Sequence, residues 1–156
     1  GQLACEVLLG PSSPLYRRVY EQGLVNARLD CYYAAGPGGA HLMVSGESRD
    51  PEQVLEQLLQ EAGRLARDGV DEGLWERLKR AAYGGMVRRL NSLESTCIDL
   101  AQAYFEGEDY LRFPQRFQSV EREHVRQLIA RWCTRERAAL SLILPAGGAA
   151  QSRERR

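Results

Sequence analysis

Few residues in this 156-residue chain have the types and spacing that chemistry needs. Its two histidines, His41 and His124, are the natural metal donors. His124 follows Glu121 at the i, i+3 spacing that carboxylate-bridged two-metal bundles use. Such a centre requires a second copy of that pair and two further carboxylates, and the chain has no second ExxH. His41 stands in a stretch of alternating polarity, opposite the apolar face, where a strand residue facing solvent or a chamber is expected rather than a ligand. The four cysteines, Cys5, Cys31, Cys97 and Cys133, form no CxxC pair and have no histidine at ligand spacing, so they read as buried reduced thiols. The arginines of SSPLYRRVYEQGLVNARL, Arg17 and Arg18, could stabilise developing negative charge, but surface arginines are most simply solvated. No HExxH, HxxEH, GxSxG or phosphate loop occurs, and GPGG at 36–39 falls inside a hairpin rather than between strand and helix. No catalytic centre can be assembled from these residues alone.

The bulk composition narrows the class further. Acidic and basic residues balance at 21 each, which removes the long-range positive field that gathers phosphates, so nucleic acid is not expected as a partner. Hydrophobic residues at 44% and charged residues at 27% are those of an ordinary globular domain, long enough to bury a core. No apolar run approaches the roughly 20 residues that cross a bilayer, and the first residues lack the basic start of a signal peptide, so neither membrane nor export is expected. Reduced thiols fit a cytoplasmic location.

The elements that must position these side chains follow from periodicity. LACEVLLG places Leu3, Ala4, Val7 and Leu8 on one helical face with no capping residue in front, so the domain's first strands are expected upstream of Gly1. Ser13 and Pro14 form an N-cap and first-turn proline for a helix ending at Gly23, with Tyr16 and Tyr20 expected to pack on its apolar side. From Val25 the period becomes two: Val25, Ala27, Leu29, Cys31 and Tyr33 share a face, and after a turn at AAGPGG so do Ala40, Leu42 and Val44. Asp50-Pro51 opens a helix whose stripe runs through Val54, Leu58, Ala62 and Leu65 to Gly69. Asp71 caps the next, with Val70 and Trp75 as a hydrophobic staple. NSLE at 91–94 starts another helix, with Leu93, Cys97, Leu100, Ala101 and Tyr104 on one face. After a break at Pro114 comes a helix through Val125, Leu128, Ile129 and Trp132, then AALSLIL at 138–144, an apolar run of strand length. The fold expected is α+β, an antiparallel or mixed sheet covered by helices: a single domain over 1–144 and a flexible tail over 145–156.

The order of these pieces, LLGPSSPLYRRVYEQGLV, the hairpin, DPEQVLEQL, DEGLWERLKR, LNSLEST and YFEG, resembles the non-zinc domain of the insulinase and pitrilysin family, to which the mitochondrial processing peptidases belong. The likeness runs from about residue 3 to 144 and is nearest to the smaller bacterial members. It implies the non-catalytic half of a zinc metalloendopeptidase, a chamber wall whose zinc sits on a homologous HxxEH domain in the same chain or a partner subunit. It implies a peptide as substrate and no zinc on this chain. Active relatives carry an arginine near the end of the second helix and a tyrosine seven residues on, which contact substrate and steady charge on the attacked carbonyl. Those positions fall on Tyr20 and, after a one-residue gap near Gln22, on Asn26. Both are replaced. Arg17 and Arg18 lie at other helical positions, from which the preorganised geometry would be hard to restore. The substrate-contact candidates are therefore Arg17, Arg18, Tyr20 and Asn26, with no catalytic residue and no metal ligand. A proteolytically inactive scaffold of the same fold is the alternative, and an incomplete sheet edge leaves room for a homo-oligomer.

Overall fold

The computed structural model describes residues 1–36 and 38–144, so the turn at Pro37 and the tail expected over 145–156 lie outside the described residues. The described residues form seven α-helices and one hairpin: α1 (Gln2–Leu9), α2 (Pro14–Glu21), β1 (Val25–Gly36), β2 (Gly39–Ser48), α3 (Pro51–Asp68), α4 (Glu72–Arg89), α5 (Leu93–Phe105), α6 (Phe113–Ser119) and α7 (Arg122–Trp132). A 3-10 turn, Tyr110–Arg112, precedes α6 and another, Arg135–Arg137, follows α7.

The helix starts lie where side-chain chemistry places them. The Ser13 hydroxyl accepts from the Tyr16 N–H at 3.1 Å, Asp50 from Gln53 at 3.0 Å, Asp71 from Leu74 at 2.7 Å and Ser92 from Ser95 at 3.2 Å. Each satisfies one of the N–H groups that a helix leaves without an internal partner. Val70 and Trp75 are both buried on either side of Asp71, as a hydrophobic staple requires. At the end of α3 Gly69 takes φ +81°, a conformation a Cβ would disfavour, and its N–H closes on the Leu65 carbonyl. Pro114 does not merely interrupt a helix. It occupies the first turn of α6, where its missing N–H costs nothing.

The hairpin pairs antiparallel, with Cys31 opposite Val44, Tyr32 opposite Met43 and Tyr33 opposite Leu42, and an irregularity between Val25 and Leu29. Leu29, Cys31, Tyr33, Leu42 and Val44 turn inward while Asp30, Tyr32, His41 and Met43 face out, as alternation dictates. Two apolar clusters form the core. The larger joins Leu3, Val7 and Leu8 of α1 to Ala62 and Leu65 of α3, Trp75 and Leu78 of α4, and Val125 and Ile129 of α7. The smaller gathers Leu9, Leu15, Val19, Leu24, Val25 and Val54 beneath the hairpin. α1 bridges both, which is why six of its eight residues are buried.

Three expectations need correction. The run 138–144 is not a strand: among the described residues the sheet has two strands only, and Leu140, Leu142 and Ile143 are exposed, the last at 99%. An apolar segment of strand length becomes a strand only where an edge accepts its backbone, and none of the described residues pairs with it. Tyr16 and Tyr20 do not enter the core. Leu15 and Val19 take the buried positions of α2, while the two rings stack on each other at 6.3 Å with Tyr20 53% exposed. The stripe on α5 also faces outward, with Leu93 83% and Tyr104 79% exposed, and Cys97, expected to be buried, is exposed with them. What ties α5 to α4 is polar: Arg89 forms a bidentate pair with Asp99 at 2.7 and 3.1 Å, and the Tyr110 hydroxyl donates to the same carboxylate.

Candidate functional site

The residues singled out around the second helix do not form one constellation. Arg17 is exposed on α2. Tyr20 lies against Tyr16 on the outer flank of the same helix. Asn26 is exposed at the start of β1, where its side-chain amide donates to Glu47 of β2 at 3.2 Å. Arg18 has a different fate. Its guanidinium reaches across to α3, donating to the Gln57 side-chain oxygen at 3.1 Å and to the Glu61 carboxylate at 3.3 Å.

Glu61 is the residue that sequence reasoning passed over, and it is 3% exposed. Its second oxygen accepts two bonds from Arg64, at 2.7 and 3.1 Å, so two arginines from two helices converge on one buried carboxylate. Burial alone would push the Glu61 carboxyl up, but the bonds and charges of Arg64 and Arg18 outweigh it and hold the carboxyl below its ordinary value of 4.5. Gln57 extends the chain of bonds outward to Gln22 at 2.6 Å. The result is a polar strut, Gln22–Gln57–Arg18–Glu61–Arg64, that sets the angle between α2 and α3. Its sequence signal was present: Val54, Leu58, Glu61 and Leu65 share the apolar spacing of α3, and a charge on a core-facing stripe demands a partner.

The metal-like spacing at Glu121 and His124 is also absorbed by structure. The Glu121 side chain accepts from the His124 backbone while the His124 Nδ1 accepts from the Glu121 N–H at 3.1 Å, a reciprocal cap on the first turn of α7. His41 lies on the outer face of β2, far along the hairpin from that cap in sequence and on a different element. Among the described residues no three His, Cys, Asp or Glu side chains are grouped so as to hold a metal ion. Zinc therefore does not fit this set of donors.

The other polar hollow, of about 260 Å³, lies where α3 gives way to α4 and meets α7, lined by Arg67, Asp68, Arg122, Glu123 and Arg126. Two of its arginines bond backbone carbonyls around this junction. Arg126 donates to the Ala66 carbonyl at 2.6 Å and Arg122 to the Val70 carbonyl at 3.3 Å, while Glu123, its carboxyl lowered to about 2 by the bonds from Arg126 and Gln127, balances the charge.

With this geometry in hand, similarities to known proteins can be placed on it. The family profile for the peptidase M16 inactive domain matches residues 1–82. No curated protein matches the chain. Among solved structures, a protein provisionally assigned as an M16-like peptidase from Alicyclobacillus acidocaldarius superimposes with a TM-score of 0.76 at 18% identity, covering 83% of this chain and 31% of that one. A provisionally assigned zinc protease from Bordetella pertussis Tohama I gives 0.71 at 18% identity over 86% of this chain and 77% of that one. The inactive peptidase domain of a provisionally assigned zinc protease from Bordetella parapertussis gives 0.73 at 18% identity over 87% and 75%. At this identity the likeness is one of fold. The chain spans about a third of the Alicyclobacillus protein and about three quarters of each Bordetella chain.

Proposed function

The chain belongs to the family of peptidase M16 inactive domains, and from that premise we propose that it serves as the non-zinc half of a zinc-dependent metalloendopeptidase. It forms one wall of the chamber that holds a peptide substrate and docks on a homologous zinc-bearing domain, in the same longer chain or in a partner subunit. The observation that carries this reading is the pairing of an inactive-domain fold with a donor set that does not converge: both histidines stand on separate elements and one is spent on a helix cap. The zinc would activate water and polarise the scissile carbonyl from the other half. What this chain supplies is shape and contact area. Arg17, Tyr20 and Asn26 are the exposed side chains at its substrate-contact positions, whereas Arg18, bound to Glu61, holds the helix that presents them.

The replacement of the family's arginine and tyrosine by Tyr20 and Asn26 favours a second reading, in which the same fold works as a binding module without proteolysis. Two measurements separate the readings. Zinc content after dialysis of the chain against zinc tests the shared premise, and one tightly held zinc per chain overturns both. Peptide cleavage by the chain combined with its zinc-bearing half, compared with that half alone, decides between them. A gain in turnover on combination is expected for the chamber wall. Unchanged turnover with intact association leaves the binding module.

A further inference from the structure

The amphipathicity of α5 is inverted. A surface helix ordinarily turns its apolar stripe to the core and its polar residues to water. On α5 the stripe turned to the protein is Thr96, Asp99 and Ala103, half-buried or buried. It is held by the Arg89–Asp99 pair and by the Thr96 hydroxyl, which donates to the Arg89 carbonyl at 3.5 Å. The side turned to solvent carries Leu93, Cys97, Leu100, Ala101 and Tyr104, all exposed. The charged residues of the helix are Glu94 and Asp99, and Asp99 is already engaged on the inner side. Water therefore meets a continuous apolar stripe, the kind of surface that marks an interaction site.

Leu93, Cys97, Leu100 and Tyr104 follow one another at steps of 4, 3 and 4 residues, the steps of a coiled-coil seam. The series reads the same from either end, with its midpoint between Ile98 and Asp99. Two such helices related by a two-fold axis therefore set Leu93 against Tyr104 of the second copy and Cys97 against its Leu100. Glu94, which flanks the seam, then stands opposite Ala101 of the other copy and meets no like charge. The 21 acidic and 21 basic residues of the chain balance, so two copies carry no net repulsion. The area also matches. Leu93 and Tyr104 provide most of about 500 Å² of exposed side chain along the seam. Interfaces are roughly 60% apolar, so such a seam belongs to a contact of about 800 Å² per copy, the size that stable pairs bury.

We propose that a second copy of this chain covers the seam, in an isologous dimer whose two α5 helices lie antiparallel. The palindromic spacing selects a second copy over an unrelated partner, because each position already has its counterpart on the same helix. Phe105 follows Tyr104 by one residue and is turned about 100° round the helix, off the seam, although its ring touches that of Tyr104 edge-on. The dimer uses a helix other than those bearing Arg17, Tyr20 and Asn26, and it stands whether or not the chain works beside a zinc-bearing half.

Sedimentation equilibrium of the full chain tests this. The expected mass is twice 17.6 kDa, with a dissociation constant of about 1 µM or tighter, as an interface of this size gives. Leu93→Glu and Tyr104→Glu, each present twice across the two-fold, should weaken the dimer by at least about 100-fold. Both side chains are exposed in the single chain, so far-UV circular dichroism should not change. Phe105→Ser should hold the dissociation constant within about threefold. Orientation is read by oxidative cross-linking in a Cys97→Ser background. Leu93→Cys chains mixed with Tyr104→Cys chains should give the mixed disulfide, mapped by mass spectrometry, and Leu93→Cys chains alone should give none. A mass that stays at 17.6 kDa up to about 100 µM, well above that constant, overturns the proposal. So does a dimer that survives both glutamates, a dimer lost in Phe105→Ser, or a link between two Leu93→Cys chains. Burial of this face only on addition of the zinc-bearing half would assign it to that half and overturn the proposal equally.

Discussion

The strut around Glu61 makes a prediction that counting ion pairs would invert. Two arginines share one carboxylate, so a count of bonds would have the removal of that carboxylate do most harm. The exposures argue otherwise. The Glu61 side chain is 4% exposed, whereas those of Arg18 and Arg64 are 42% and 43% exposed. In a Glu61→Gln chain both guanidiniums can turn to water, so the loss is that of hydrogen bonds to a charged group, about 1.5–3 kcal/mol at most, discounted toward the lower end because the freed arginines are solvated. In an Arg18→Ala/Arg64→Ala chain the carboxylate stays where it was with no counter-charge, and the cost of a broken buried pair, about 3–5 kcal/mol, applies. The parent and the double arginine variant also differ in the sign of their pH dependence. In the parent the folded carboxyl is depressed, so its contribution is present above the ordinary value of 4.5 and is lost as pH falls through the lower folded value. In the double variant desolvation acts unopposed and raises the folded carboxyl, so the chain is relatively most stable below 4.5 and loses stability as pH climbs through the raised value. Urea denaturation followed by tryptophan fluorescence at pH 7 and at pH 4 measures both effects. A Glu61→Gln chain less stable at pH 7 than the double arginine variant, or a double variant whose deficit does not shrink on acidification, would refute the reasoning.

Other perturbations separate core from surface. Ile129 is fully buried between α7 and α1, so Ile129→Ala should cost about 2–5 kcal/mol in the same titration, while Phe105→Ser, at a side chain 85% exposed, should stay within about 0.5 kcal/mol. Ser13→Ala removes a buried hydroxyl that accepts from the Tyr16 N–H and should cost about 1 kcal/mol, partly recovered by Ser13→Asp if the cap is the cause. At α7, His124→Ala should lower stability by no more than about 1 kcal/mol in the same titration, since His124 caps one helix turn; a loss of several kcal/mol would contradict that assignment.

Local chemistry was legible in the sequence wherever a few neighbouring residues decide the outcome. Ser13-Pro14, Asp50-Pro51, Asp71 and Ser92 fixed where helices begin, because a cap is satisfied within one turn. The switch to period two at Val25 fixed the hairpin and its inward face, because alternation is a property of the strand itself. What periodicity could not say is which apolar stripe finds a partner. The stripes of α3 and α5 look equally convincing as text, yet Ala62 and Leu65 are buried while Leu93, Tyr104 and Phe105 face out, and 138–144 has the residues of a strand without an edge to join. Arg17 and Arg18 are likewise adjacent and identical in the sequence; only the placement of α3 beside α2 gives one of them a buried carboxylate and leaves the other exposed. The conversion of Glu121 and His124 from metal-like spacing to a helix cap belongs to the same class. Capping and alternation are settled by forces within a few residues of chain, whereas burial and charge pairing depend on surfaces that meet only when distant segments pack.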